Sequence, residues 1–390
     1  MAEQSSRRTF LRRSGLAVVP AVVAGGAWAY PSAAQQTGGR GALGELEKYL
    51  DKLQADDSFS GTVLVLKDGR PVLSRSMGYA DQARRIRNRD DTIFCLASVT
   101  KLFTGIAIGQ LAQRGSLSLT DPIAKYLGGF TSGIGDKVTI HHLLTHTSGL
   151  GDYMQLDGYW QESATWTTPQ QTMDGVLRFI RTEPLAFAPG TAAKYSNSGF
   201  HVLGCIVAKI AGVSYYDYIR ANIFRPAGMA SSDFTLLGQW KTDRRFAHPY
   251  PTDRSGKRYD ALTTDAFGLI GTPAGNAFAN APDLVRFITA LTGGRLLSPT
   301  YRDVFVTPKF SLGSLPAKPG LPEIVNFFGY GVDSSILNGG LVTGHTGGAP
   351  GISTSAEWYP ELGYTAVHLG NYDPAPGANV NQELRQVLTS

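Results

Sequence analysis

The sequence predicts an α/β (α+β) protein, in which a largely antiparallel sheet is flanked by terminal helices and carries an inserted, mainly helical lobe. Two observations predict this architecture. Strand-like runs occur near both ends of the chain, and helix-like runs fill the region between them. Pairing the terminal strands into one sheet is the simplest way to bury their apolar faces beneath helices. With 390 residues, of which 42% are hydrophobic and 17% charged, the chain is long enough for a large core.

The first 34 residues are expected to be an export signal rather than part of the fold. A charged start containing Arg7 and Arg8 precedes a short apolar run at 16–29 and then small residues. This order is typical of a secretory signal, and the arginine pair favours the twin-arginine type. The apolar run is shorter than the roughly 20 residues that a membrane span needs. We therefore expect cleavage after Ala34, with Ala29 as the rival site, and a periplasmic or secreted protein without a stable membrane span; an uncleaved anchor is the alternative.

The charge and the cysteines limit the partners of the chain. The formal charge of +5 falls to +2 without residues 1–34, because these contain four arginines and one glutamate. No basic cluster is evident, so nucleic acid is not an expected partner. Cys95 and Cys205 lie in apolar surroundings, which favours buried free thiols. A disulfide is the alternative that an oxidising compartment would permit.

The elements follow one another in the order that this architecture requires. Residues 35–42 are predicted to form a flexible lead-in to a single folded unit at 43–390, because they are rich in glycine. Leucines at helical spacing then predict a first helix from Leu43. Two strand-like runs follow, and the Asp68-Gly69 pair between them indicates a hairpin. The first sheet segment is expected at about 43–96.

The central and final segments complete the prediction. The helical lobe is expected at about 97–289, and the sheet resumes at about 290–390, with a turn at 360–363 between two of its strands and a helix at the end. Helices are predicted at 101–114, 138–145, 169–181, 199–211, 215–224 and 282–291.

A serine and a lysine, Ser98 and Lys101, stand three residues apart just after the first pair of strands, and an apolar helix pattern follows at once. Residues i and i+3 share a helix face, so the hydroxyl and the amine would project to the same side. The positive helix start and burial would lower the pKa of the lysine, and a neutral lysine can accept the proton of a serine. The alternative is an ordinary helix start, with Ser98 as N-cap and Lys101 in solvent.

A second segment carries Tyr195 and Asn197, the only Y-x-N in the chain, in a loop ahead of another apolar helix. A phenol beside a lysine can relay a proton, and a side-chain amide can bind a substrate amide or ester. The alternative is an aromatic residue followed by a cap at a helix entry.

A third segment, His345-Thr346-Gly347-Gly348, lies on or beside a strand near the C-terminus. Its glycines would let a substrate approach the backbone. A backbone N–H here could pair with that of Ser98 to hold an oxyanion. H-x-G alone is a weak pattern, because His368-Leu369-Gly370 also matches it, but only the first copy carries the surrounding Thr-Gly-Gly.

Taken in this order, the SVTK, YSN and HTG segments resemble the serine β-lactamase and penicillin-binding superfamily. Within it, the closest resemblance is to the class C β-lactamase-like branch, which includes D-peptidases and esterases. Similar stretches include HHLLTHTSGL, FAPGTAAKYSNSGF and GHTGGAPGISTSAEWYPELGY, so the resemblance covers nearly the whole mature chain. The ordered set is specific, whereas each piece alone is not. The resemblance implies the same fold, a sheet domain with an inserted helical lobe.

The resemblance also implies a role for each of these residues in a reaction through an acyl-enzyme. It leaves open whether the lysine or the tyrosine is the general base in each step. The implied set is Ser98 as acylated nucleophile, Lys101 as its activator, Tyr195 as proton relay or general base, Asn197, His345, Thr346 and Gly347 as substrate-binding residues, and the backbone N–H groups of Ser98 and Gly348 as the oxyanion hole.

One residue departs from the pattern of many members of the superfamily, which carry lysine where this chain has His345. Lysine offers a permanent charge to a substrate carboxylate, whereas histidine is mostly neutral at pH 7. The sequence therefore predicts an exported serine hydrolase that cleaves an ester, an amide or a D-amino peptide bond. The alternatives are a β-lactamase proper and a non-catalytic sensor module of the penicillin-binding type. The expected partner is a small-molecule or peptide substrate, without a cofactor or metal.

His141, His142 and His146 raise the possibility of a metal site. The zincin pattern needs a glutamate after its first histidine, however, and Leu143 stands there. We expect these histidines to form hydrogen bonds in the helical lobe instead. The chain has no G-x-S-x-G elbow and no G-x-x-x-x-G-K-[ST] phosphate-binding loop. Aromatic residues in the loop at 153–160 are candidates for lining a substrate cleft.

Overall fold

The computed structural model describes residues 33–131, 133–315, 323–375 and 378–390. The predicted signal therefore lies outside the described residues except for its last two positions.

The described residues contain the strands β1 Gly61–Lys67, β2 Arg70–Met77, β3 Tyr79–Asp81, β4 Ile86–Arg87, β5 Phe94–Cys95, β6 Phe278–Ala279, β7 Phe310–Leu315, β8 Ile324–Phe328, β9 Asp333–Leu337, β10 Gly340–Ala349, β11 Ile352–Tyr359 and β12 Tyr364–Gly370. Eight of these strands form one sheet, in the order β2-β1-β12-β11-β10-β9-β8-β7, and every neighbouring pair is antiparallel. The sheet thus joins strands from both ends of the chain, and the predicted fold class is confirmed.

The hairpin between β1 and β2 forms where the Asp-Gly pair predicts it. Asp68 and Gly69 connect the strands with φ of 49° and 75°. Positive φ at both central residues is the type I′ geometry, which matches the twist of paired strands. On the other side of β1, the register with β12 runs from Gly61↔Gly370 to Lys67↔Tyr364.

The helices occupy the ends and the middle of the chain. They are α1 Ala33–Ala55, α2 Lys101–Gln113, α3 Ile134–Lys137, α4 Ile140–Leu144, α5 Tyr159–Ser163, α6 Pro169–Thr182, α7 Asn197–Ala211, α8 Tyr215–Ile219, α9 Arg225–Ala227, α10 Leu237–Thr242, α11 Ala281–Thr292, α12 Pro299–Val306 and α13 Val380–Thr389. Short 3-10 turns occur at Ala97–Thr100, Ile123–Lys125, Tyr153–Gln155 and Ala261–Thr263, and a π-turn at Arg220–Phe224 continues α8.

The terminal helices α1 and α13 pack together against one face of the sheet. Leu46 and Leu50 of α1 and Leu384 of α13 are fully buried in one cluster with Val63 of β1. The predicted flexible lead-in at 35–42 is wrong, because α1 already begins at Ala33. Once the leucine face of the helix is docked, adding the preceding turns to it costs much less than nucleating a new helix.

The helix α2 lies at the centre of the larger core, between the sheet and the helical lobe. Every residue from Lys101 to Ala112 is buried, as expected for a helix that is surrounded on all sides. A Cβ at Gly105 would lie 2.4 Å from the carbonyl oxygen of Tyr330, so the helix can approach that loop only because residue 105 is glycine. This packing removes the first residue of α2, Lys101, from water.

Cys95 and Cys205 are buried free thiols, as predicted. Among the described residues, no single helix is long and apolar enough to cross a membrane, although one bent pair, Asn197–Ala211 with Tyr215–Ala227, passes that test by length and composition.

Candidate active site

Ser98 stands in the 3-10 turn Ala97–Thr100, between β5 and α2. Ala97 has a φ of 44°, a left-handed conformation that costs free energy for a residue with a Cβ. The conformation is held because the carbonyl of Ala97 accepts hydrogen bonds from Thr100 Oγ1 at 2.7 Å and from the N–H of Asn276 at 3.1 Å. The sharp turn presents the Ser98 side chain to a cavity.

Lys101 is fully buried directly below Ser98. Its Nζ lies 3.2 Å from Ser98 Oγ, 2.7 Å from Asn197 Oδ1 and 2.6 Å from the carbonyl oxygen of Ala274. Burial lowers the pKa of Lys101 to about 7, although the charges of Asp333 and Asp152 act in the opposite direction. Its ammonium group is thus easily deprotonated near neutral pH.

The hydrogen-bond partners decide how a neutral Lys101 is oriented. A carbonyl oxygen and an amide oxygen can only accept, so the contacts with Ala274 and Asn197 take the two N–H groups of the amine. The lone pair that remains on the amine then faces the hydroxyl of Ser98. This contact is the longest of the three. The arrangement can therefore remove a proton from Ser98.

Asn197, the first residue of α7, is fixed by a carboxylate. Its Nδ2 donates to Asp152 Oδ2 at 2.9 Å. Because a carboxylate oxygen accepts, this contact identifies the amide nitrogen and leaves Oδ1 facing Lys101. Ser196 starts the helix as its N-cap and accepts from the N–H of Gly199.

Tyr195 covers Lys101 from the side of the helical lobe. Lys101 Nζ lies 4.7 Å from the centre of the Tyr195 ring, and the Tyr195 hydroxyl is close enough to the side chain of Ser98 for that side chain to lower its pKa. Burial of its hydroxyl end raises the pKa of Tyr195 above the ordinary value, against the effect of the Ser98 hydrogen bond. The phenol is therefore protonated near neutral pH and can donate a proton, while the residue as a whole is 37% exposed.

His146 holds the Tyr195 segment on both sides. Its carbonyl oxygen accepts from the N–H of Lys194 at 2.9 Å, and its Nδ1 accepts from the N–H of Ser196 at 3.0 Å. The imidazole stacks on the Tyr195 ring with centres 4.6 Å apart. Burial lowers the pKa of His146 well below its usual value, with Lys101 adding to the effect, so the ring stays neutral.

The other two histidines of this segment also form hydrogen bonds. His141 Nδ1 contacts the hydroxyl of Tyr330 at 2.8 Å, and His142 Nδ1 accepts from the N–H of Thr139 at 3.2 Å.

The glycines of β10 run directly beside Ser98. A Cβ at Gly347 would lie 2.3 Å from the carbonyl oxygen of Leu96 and 3.1 Å from the N–H nitrogen of Ser98. Only glycine fits there without moving the backbone. Gly348 lines the same cavity as Ser98, so the two residues predicted to supply the oxyanion hole are brought together. Thr346, also predicted to bind substrate, is exposed on the same strand.

His345, a residue of the same strand, is buried and does not line the cavity. It is 2% exposed, its ring centre is 6.3 Å from that of Tyr195, and its Nε2 is 3.7 Å from Asp333 Oδ2. Its Nδ1 contacts the carbonyl oxygen of Thr346 at 2.5 Å, which marks Nδ1 as the donor. Burial lowers the pKa of His345 despite the nearby Asp333, so the ring is neutral at pH 7.

The cavity in front of Ser98 has a volume of about 420 Å³. One wall carries Tyr153, Tyr159 and Trp160, the loop aromatics that the sequence marks as candidates. A second part of the lining comes from the segment 265–276, which carries no recognisable motif.

Several residues around Lys101 were not identified from the sequence. Asp152 directly follows THTSGLG, which overlaps a stretch that resembles the superfamily. This position in the sequence could have marked it as a candidate site residue. The carbonyl of Ala274 has no such signal, because any residue supplies a carbonyl and only the fold selects this one. Asp333 lies on β9, the neighbour of β10 in the sheet, and that pairing is not visible in a single sequence.

An antiparallel sheet with an inserted helical lobe, and a Ser-Lys-Tyr cluster where they meet, define the β-lactamase and penicillin-binding class of proteins. The chain belongs to the Beta-lactamase family, whose model matches residues 46–389. It is 30% identical over 341 residues to a penicillin-binding protein of Bacillus subtilis (strain 168), covering 84% of this chain and 71% of that relative. It is 34% identical over 216 residues to the esterase EstB of Burkholderia gladioli, covering 53% of this chain and 54% of the esterase.

Solved structures agree with this assignment. The structure of a penicillin-binding protein from Bacillus halodurans matches with a TM-score of 0.74 and 29% identity, covering 88% of this chain and 98% of that one.

Proposed function

We propose that the protein is an exported serine hydrolase that cleaves an ester, an amide or a D-amino peptide bond through an acyl-serine intermediate. The observation that carries the proposal is the contact between Lys101 Nζ and Ser98 Oγ at 3.2 Å, made by a buried amine whose pKa is about 7. A surface lysine at an ordinary helix start would have neither the contact nor the shift.

The proposed reaction begins when Ser98 Oγ attacks the substrate carbonyl carbon and its proton passes to neutral Lys101. The N–H groups of Ser98 and Gly348 hold the developing oxyanion. Tyr195 donates its phenolic proton to the leaving alcohol or amine as the carbonyl–heteroatom bond breaks, and it recovers a proton from Lys101, which received that of Ser98. In the second half, water attacks the acyl group, a proton returns to Ser98 Oγ, and the free acid leaves.

The proposed substrate class includes both esters and amides because one relative is described as a penicillin-binding protein and another as an esterase. His345 favours the ester or amide side of this range. A neutral imidazole that is 2% exposed offers no permanent charge to the carboxylate of a penicillin.

The test is to treat the protein with a fluorophosphonate or a fluorescent penicillin and to map the adduct by mass spectrometry. We expect one adduct, on Ser98, and none in Ser98→Ala. Labelling that persists unchanged in Ser98→Ala would refute the proposal. A panel of p-nitrophenyl esters, nitrocefin and D-Ala-D-Ala peptides then measures turnover, and acylation without product release would indicate a sensor instead.

Export is a separate part of the proposal and rests on the Arg7-Arg8 pair and the short apolar run that follows it. N-terminal sequencing of protein from the producing cells is expected to begin just after Ala34 or Ala29. Replacing both arginines by lysine should retain the protein in the cytoplasm, and unchanged export of that variant would contradict the twin-arginine route.

A further inference from the structure

We propose that the cavity in front of Ser98 selects substrates whose acyl group is uncharged and bulky, with an aromatic ring or a short hydrocarbon chain, and rejects anionic acyl groups. This inference deepens the proposed function and rests on it. It is carried by the aromatic and apolar residues of the cavity wall and by the charge of the lining.

The first observation is the shape of the cavity. Ser98 and Gly348 lie among its lining residues, so the space is continuous with the proposed site of bond cleavage. The leaving group must depart after acylation, whereas the acyl group stays bonded to Ser98. A concave space of about 420 Å³ beside the nucleophile therefore suits the acyl group, and its size lies within the range of small-molecule sites.

The second observation is a rigid aromatic wall. Tyr153 and Tyr159 meet edge to face with centres 5.1 Å apart, and Tyr159 meets Trp166 in the same way at 6.0 Å. Trp166 also packs over Gly175, where a Cβ would lie 2.3 Å from its indole. Because these rings are fixed by one another, an aromatic or aliphatic group can enter without paying to order them.

The part of the lining from 265–276 is also largely apolar, and it includes Phe267 and Ile270, both buried. An apolar acyl group that enters the cavity would thus be removed from water, and each methylene group buried in this way strengthens binding several-fold.

The third observation is the charge of the lining. Among the described residues that line the cavity, none is lysine or arginine, and Asp265 alone carries a formal charge. Asp265 is exposed at the rim. A carboxylate on the acyl group would lose water of hydration without gaining a cationic partner, and it would face a like charge.

The test compares kcat/KM for p-nitrophenyl acetate, butyrate, phenylacetate and hemisuccinate, which share one leaving group. We expect butyrate to exceed acetate by about 10-fold, since two methylenes are buried, and phenylacetate to exceed acetate by at least as much. Hemisuccinate should fall about 10-fold or more below butyrate, which matches it in chain length. Equal values for acetate and phenylacetate, or for butyrate and hemisuccinate, would overturn the inference.

Two variants assign these preferences to the cavity. Trp160→Ala removes a ring that is 42% exposed at the rim, and it should lower the phenylacetate-to-acetate ratio. Asp265→Asn should raise the hemisuccinate-to-butyrate ratio. The matched controls lie outside the cavity lining: Val213→Ala, an exposed apolar residue, and Asp136→Asn, an exposed acid, should leave both ratios unchanged. Ratios that do not respond to Trp160→Ala and Asp265→Asn would place selection elsewhere.

The inference and the proposed function fail in different ways. If no ester is turned over and no adduct forms on Ser98, the hydrolase proposal itself is wrong. If turnover depends on Ser98 but shows no preference for neutral, bulky acyl groups, only the inference about the cavity is wrong.

Discussion

Two cationic side chains on opposite sides of the sheet, Lys101 fully buried and Arg385 19% exposed, behave in opposite ways. Lys101 contacts a hydroxyl, an amide oxygen and a backbone carbonyl, and its pKa falls to about 7 as a result of burial. Arg385 of α13 contacts the carboxylate of Glu357 on β11, with Nη2 and Oε1 2.6 Å apart. Burial alone would lower the pKa of Arg385, but the charge and hydrogen bonds of Glu357 outweigh it and raise the pKa above its ordinary value.

Burial alone therefore does not decide what an ionisable group can do. A contacting carboxylate keeps the charge in place and makes a structural link, here between the last helix and the sheet. Neutral acceptors hold the position of the amine but leave its proton removable. The comparison predicts that changes at the lysine will affect chemistry and changes at the arginine will affect stability.

The largest expected effect is on acylation. Lys101→Ala should lower the rate of Ser98 acylation by about 10² to 10⁴-fold, because the proton acceptor is lost. Lys101→Arg should show a similar loss, since a guanidinium stays charged and cannot take the proton. The measurement is the rate of fluorophosphonate labelling per folded molecule, with folding checked by thermal melting. Wild-type rates in both variants would show that another group is the base.

The second prediction concerns the ion pair between Arg385 and Glu357, where a change should affect stability and not acylation. Arg385→Met leaves Glu357, 1% exposed on its side chain, without its partner, and should lower the free energy of unfolding by about 3–5 kcal/mol. Replacing both residues, as Arg385→Met with Glu357→Gln, should recover part of that loss. Denaturant unfolding gives the free energies. The acylation rate of the folded fraction should stay close to that of the wild type, and a large fall in it would contradict a purely structural role for Arg385.

The sheet and the three motif segments could be predicted because both have local signals: alternation marks strands, the Asp68-Gly69 pair marks the hairpin, and a serine three residues before a lysine places both on one helix face. Asp152 as the partner of Asn197, and the carbonyl of Ala274, could not be predicted, because these contacts join segments that are distant in the chain. The start of α1 at Ala33 was also not predictable, since the glycines of 35–42 favour a flexible segment locally.

The pH dependence of acylation should depend on Lys101 and not on Arg385. The active form requires neutral Lys101, whose pKa lies at about 7. The rate should therefore rise about tenfold per pH unit below that value and level off above it. Arg385→Met should leave the midpoint of this profile unchanged. Stopped-flow measurement with a p-nitrophenyl ester gives the profile, and a rate independent of pH from about 5 to 9 would contradict the assignment of Lys101 as base.

The smallest expected effect comes from a carboxylate that acts on Lys101 at a distance. The charge of Asp333 raises the pKa of Lys101 and so partly opposes the effect of burial. Asp333→Asn removes that charge while keeping the shape of the side chain, and the midpoint of the acylation profile should move to lower pH by a fraction of a unit. His345, 3.7 Å from Asp333, is neutral before the change, and its pKa would fall further, so its titration cannot produce the shift. Asp303→Asn, an exposed acid paired with Arg302 on α12, is the matched control and should not move the midpoint. A shift to higher pH in Asp333→Asn would mean that hydrogen bonding at the site, and not the electrostatic balance around the amine, sets the proton affinity of Lys101.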